Sequence, residues 1–119
     1  MIFSIAVLCF FSCNNGDQIV KLLASDNIND LINGANMAGA SGNKEFVPLL
    51  LKNAADLRTS TSIWHYGVNV YKAKMDALKK IFQKEPPNEI IFNKVDSVII
   101  HFYEQLYRKE QIDSTNHFK

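Results

Sequence analysis

Few side chains in this sequence are of the types that do chemistry, and their spacing limits what each can do. The two thiols, Cys9 and Cys13, both fall in the first fifteen residues, while His65, His101 and His117 lie far from them and from one another. A metal centre needs several Cys or His residues at ligand spacing, so no metal site is expected. Asp26, Asp30 and Asp56 are scattered near the ends of apolar-periodic segments, where carboxylates serve as helix caps rather than as a catalytic pair. Neither His65 nor His101 has an acid–base partner in sequence. Gly-x-Ser-x-Gly, phosphate-cradling glycine loops, His-Glu-x-x-His and Cys-x-x-Cys are all missing from the 119 residues. The chain therefore reads as non-catalytic and without a cofactor. Its formal net charge of +1 carries no basic excess of the kind nucleic-acid binders show. Lys72, Lys74, Lys79, Lys80 and Lys84 do not share one helical face and read as solvating charges, so no nucleic-acid partner is expected.

One cysteine stands in a pattern with a chemical meaning. Residues 1–11 read MIFSIAVLCFF, apolar apart from Ser4, followed by Ser12, Cys13 and the polar Asn14-Asn15-Gly16-Asp17. The run is shorter than the roughly 20 residues that span a bilayer as a helix. A short apolar run, a small residue, a cysteine and a polar tether resemble a bacterial lipoprotein leader, in which the cysteine sulfur carries the lipid. Phe10 and Phe11 stand where aliphatic or small residues are usual, and no Lys or Arg precedes the run. The resemblance makes Cys13 the lipidation site, residues 1–16 a signal and tether, and the chain an anchored rather than a spanning protein. The alternative is that the run forms a buried first helix of a cytoplasmic protein.

The last apolar segment holds the other candidates. Val95, Val98, Ile99, Phe102 and Leu106 form a core stripe at helical spacing, and Ile100, Tyr103 and Tyr107 form a second stripe on another side. A terminal helix with two apolar faces points to a partner, a dimer contact or a loop folded onto it, and aromatic residues are favoured at contacts. Ile100, Tyr103 and Tyr107 are accordingly the candidate partner-binding residues, with packing inside the chain as the alternative.

These residues are positioned by a series of helices. Hydrophobic residues make up 47% of the chain and charged residues 21%, enough for one globular core. The first helix is expected over 17–24, with Ser25 and Asp26 stopping it and capping the next. The second runs over about 27–38, its stripe Ile28, Leu31, Ile32, Ala35 and Ala38, and Gly39 and Gly42 end it. The third covers about 44–54, with Pro48 tolerated near its start and Asp56 closing it. A Ser/Thr-rich connector over 57–66 leads to Trp64, placed as a hydrophobic staple over the first turn of a fourth helix at about 68–82. Val68, Tyr71, Met75, Leu78 and Phe82 mark that helix's buried face. Pro86-Pro87 breaks the chain, the last helix runs over about 93–108, and residues 111–119 form a frayed polar tail.

The stripe Ile28, Leu31, Ala35, Ala38 repeats as Val68, Tyr71, Met75, Leu78 at an offset of about 40 residues, within the period of helical arrays. Ala35 to Leu50 reads ANMAGASGNKEFVPLL. It resembles the HEAT-repeat signature: an alanine-rich first helix, a Gly-x-x-Gly-Asp turn, then Val-Pro-x-Leu-Leu, with Asn43 in place of the aspartate. The resemblance covers most of 19–81 and implies an all-α fold. That fold is an α-solenoid of stacked antiparallel helix pairs, about two HEAT-like repeats over 17–110 behind an N-terminal helix. It further implies a non-catalytic protein-docking or scaffold module, lipid-anchored at the bacterial cell envelope if Cys13 is modified. A soluble accessory subunit of an enzyme complex and a fragment of a longer array remain the alternatives.

Overall fold

A computed structural model describes the backbone of residues 16–117 and the side chains of residues 16–113. Cys13 and the leader therefore lie outside the described residues. Helix α1 covers 16–24, α2 Ile28–Ser41, α3 Val47–Leu51 after a 3-10 turn at Lys44–Phe46, α4 Val70–Phe82 and α5 Ser97–His117. The fold is all-helical. Among the described residues the only extended pairing is an isolated bridge between Thr59 and Asn69.

The turn between α1 and α2 is built by side chains that compete for free amides. Asn27 is the N-cap of α2, its Oδ1 accepting from the amides of Asn29 at 2.9 Å and Asp30 at 3.2 Å. Ser25 accepts from the Asn27 amide and donates to Asp30 Oδ2 at 2.8 Å, which ties the cap to the first turn. Cap, first-turn acid and helix dipole thus act together. Ile19 and Leu23 are the buried face of α1. Gly34 admits that helix closely, since a β-carbon there would stand 2.9 Å from Leu22 Cβ.

Helix α2 is longer than its glycines imply. Gly42, at φ 67°, is the left-handed cap, and its amide reaches the carbonyls of Ala38 and Gly39. Gly39 instead lies inside the helix and is buried. A β-carbon on it would come within 3.0 Å of Ala77 Cα, so this glycine serves the crossing of α2 against α4 rather than termination. Leu31, Ile32, Ala35 and Ala38 are buried on α2, and Tyr71, Met75 and Leu78 on α4. Each large aliphatic side chain in this core contributes about 1.5–3 kcal/mol by leaving water.

Helix α3 is only five residues long, where a longer helix was expected. Its capping residue Lys52 is extended at ψ 126°, and Asn53 follows at φ 51°. Val47 and Leu50 are fully buried, so the turn is held by packing rather than by helix length.

The connector after Asp56 folds back to serve α4. The carbonyls of Asp56 and Arg58 accept the amides of Tyr71 at 2.7 Å and Val70 at 3.1 Å, and Asn69 caps Lys72 at 2.8 Å. Asn69, itself buried, also donates to the Phe92 carbonyl. These contacts delay the start of α4 to Val70. The helix is then buried on most sides, and Gln83 ends it at φ 53°. Asp96 starts α5 later than its apolar pattern does, accepting from the Val98 amide at 2.9 Å. The helix continues through His117, beyond the expected end near 108 and into the stretch read as a frayed tail. A reach from Lys44 to Glu110, 2.9 Å apart, links the outer part of α5 to the start of the 3-10 turn. No helix among the described residues is long and apolar enough to cross a membrane.

Candidate functional site

On α5, Tyr103 and Val98 take positions opposite to those given by spacing, while Ile99 stays in the core. Tyr103 is fully buried and is an internal residue, not a surface one. Its ring stacks on Phe82 with centroids 5.9 Å apart and meets Phe102 edge-on at 5.1 Å. Its hydroxyl donates to the Lys84 carbonyl at 2.9 Å, and burial pushes the phenol's pKa up strongly. Ile100 and Tyr107 are half-buried and pack against the same core. A side chain closed off by α4 cannot meet a partner, so Tyr103 belongs with Ile99 to the inner face of the helix. Val98, placed with the core by its spacing, is 53% exposed.

The outer face of α5 carries Val98, Phe102, Leu106 and Ile112, the last 59% exposed. Spacings of four set Val98, Phe102 and Leu106 along one side of the helix, with Phe102 and Leu106 half-buried against the core. Phe102, Leu106 and Ile112 line a solvent-open recess with Gln105, Arg108 and Lys109 on its margin. This is an apolar strip with a basic edge. It has the composition of a contact surface.

A second exposed patch lies on the connector. Ile63 and Trp64 are each 85% exposed and Tyr66 79%. Trp64 is therefore no staple over α4, because its ring projects away from the helix. The loop beneath it is well tied. Ser62 Oγ accepts from the Trp64 amide, Ser62 carbonyl from the His65 amide, and His65 carbonyl from the Val68 amide. Ser60, almost fully buried, donates to Asn29 Oδ1 at 2.6 Å, and His65 Nε2 hydrogen-bonds Asn33 Oδ1 at 2.6 Å. Three large groups on a tied loop with no helical periodicity have no inner face to turn to. That is the signal by which sequence alone could have found Ile63 and Tyr66.

The remaining polar cluster surrounds Lys74, which spacing placed among solvating lysines. Its side chain is buried, and its ammonium donates to the Lys52 carbonyl at 2.8 Å, satisfying the C-terminus of α3. Desolvation lowers its pKa, and nearby Asp56 opposes that shift. Arg58 grips Asp56 through Nε and Nη2, the latter at 2.7 Å, and reaches the Asp26 carbonyl with Nη1 at 3.0 Å. Hydrogen bonding from Arg58 holds the Asp56 carboxyl below the usual range. The cluster pins the α1–α2 turn, the end of α3 and α4 to the connector. His65 and His101 meet amide side chains, Asn33 and Gln105, and not carboxylates. No group of three His, Cys, Asp or Glu residues among the described residues is arranged to hold a metal ion.

No protein-family model matches the chain, and no curated protein or solved structure is significantly similar to it.

Proposed function

We propose that the chain is a HEAT-like helix-pair module that docks a protein partner and carries out no chemistry. A lipid on Cys13 would hold it at a bacterial cell envelope. The observation that carries the docking role is the outer face of α5, where Val98 and Ile112 stand more than half exposed at either end of Phe102 and Leu106. Exposed apolar side chains flanking a half-buried pair are favourable to cover, and a basic margin of Arg108 and Lys109 fits a partner with an acidic rim. The HEAT-like reading is supported by α2 and α4, whose stripes lie about 40 residues apart and which pack side by side at Gly39. Contacts between α3 and α5 support it further, since second helices stack on second helices in such arrays.

The test is a photo-crosslinking residue at Gln105, an exposed position in the centre of the strip, incorporated in cells expressing the native gene. A discrete adduct with a second protein is expected, and Val98→Glu together with Ile112→Glu should remove it while leaving the circular dichroism unchanged. An adduct that persists in the double variant, or no adduct at all, refutes α5 as the contact. Mass and detergent partitioning of the same product, beside Cys13→Ala, decide the lipid: masses that differ only by the exchanged side chain refute the anchor.

A further inference from the structure

We propose that the loop bearing Ile63, Trp64 and Tyr66 seats in the interfacial layer of a phospholipid bilayer. Three properties of the loop carry this. The first is chemical. Trp and Tyr combine an apolar ring with one polar group, which suits the headgroup boundary, and Ile63 adds an aliphatic side chain beside them. All three project at 79–85% exposure, so they reach outward without any rearrangement of the body.

The second property is the state of the backbone. A polar group entering a layer poor in water must keep its hydrogen bond. In this loop the amides of Trp64, His65, Gly67 and Val68 are satisfied by Ser62 Oγ and by the carbonyls of Ser62, Ser60 and His65. The Ser62 amide is held by Ser60 Oγ. These five amides therefore stay paired when the side chains are immersed, and those of Ile63 and Tyr66 are left to the hydrated headgroups.

The third is charge. No Asp or Glu occurs from residue 57 to residue 75, and the α2 residues beneath the loop, Asn29 and Asn33, are neutral. The acids that flank the connector, Asp26 and Asp56, are both engaged by Arg58. Arg58 is in turn committed to Asp56, and Lys72 to Asp76, so attachment is apolar rather than electrostatic. This inference does not depend on α5 as the protein contact or on modification of Cys13.

The chain contains a single tryptophan, so its fluorescence reports on this loop alone. The experiment uses the full chain with Cys13→Ala and vesicles of phosphatidylethanolamine and phosphatidylglycerol. A blue shift of Trp64 emission is expected. Lipids brominated near the headgroup should quench it more than lipids brominated near the chain ends, and added salt should change neither result. The Ile63→Ser/Tyr66→Ser variant keeps Trp64 and loses only exposed side chains, so its fold is unchanged. Its vesicle-induced quenching should weaken by about 10-fold. If the protein co-sediments with vesicles through its apolar leader while Trp64 stays water-exposed and unquenched, the proposal is overturned. It is equally overturned if Trp64 is silent on vesicles but shifts on binding the α5 partner, which would make the loop a protein contact. A shift abolished by salt overturns the apolar mode.

Discussion

Replacing Tyr103 distinguishes an inner from an outer stripe on α5. The ring is fully buried, stacked on Phe82 at 5.9 Å and edge-on to Phe102 at 5.1 Å. Tyr103→Ala removes the ring and leaves a cavity between α4 and α5, a change that costs about 3–5 kcal/mol for a buried aromatic. Tyr103→Phe keeps the ring contacts and deletes only the hydroxyl's bond to the Lys84 carbonyl. Lys84 is exposed, so water can take over that carbonyl, and the cost falls near the lower end of about 0.5–1.5 kcal/mol. In a domain of this size each kcal/mol moves Tm by roughly 4–8 °C. Tyr103→Ala is thus expected to lower Tm by about 12 °C or more, and Tyr103→Phe by only a few degrees, as read by thermal circular dichroism. A double-mutant cycle with Phe82→Leu and Tyr103→Leu should return a coupling of about 0.5–1.5 kcal/mol for the stacked rings. If Tyr103→Ala shifts Tm by less than about 4 °C and the coupling is nil, the side chain is not enclosed by α4 and the assignment of faces on α5 is wrong.

Two other perturbations probe the frame that holds these surfaces. Gly39→Leu places a side chain where a β-carbon already stands 3.0 Å from Ala77 Cα, so α2 and α4 must part, at a cost of about 3 kcal/mol. Gly39→Ala should be close to neutral, because about 1 kcal/mol of helix propensity offsets a tight contact; urea unfolding of both variants checks the contrast. For Asp56, hydrogen bonds from Arg58 hold the folded carboxyl below its ordinary value of 3.8. The stabilisation this supplies is present above pH 3.8 and is lost as pH falls through the lowered folded value. Asp56→Asn should therefore be less stable at neutral pH and decline less on acidification, measured as urea midpoints against pH. Parallel curves for the two proteins would show that the Arg58 contact adds nothing to stability.

The sequence by itself determined the helices, their order and most of the core. Periodicity is a local property, and the spacing of Leu31, Ile32, Ala35 and Ala38 or of Tyr71, Met75 and Leu78 marks a buried face whatever the neighbour is. Gly42 was legible as a cap for the same reason. Tertiary structure decided everything that depends on which neighbour is present. Gly39 is a crossing point only because Ala77 lies against it, and no local pattern separates that role from termination. The carbonyls of Asp56 and Arg58 delay the start of α4, and they come from a connector that had to fold back first. Lys74 is buried because the end of α3 offers it the Lys52 carbonyl across 22 residues of chain. On α5 both stripes are apolar, so composition cannot rank them. Phe82 and the Lys84 carbonyl together accommodate the ring and the hydroxyl of Tyr103, and that pairing turns Tyr103 inward and leaves Val98 and Ile112 to the solvent.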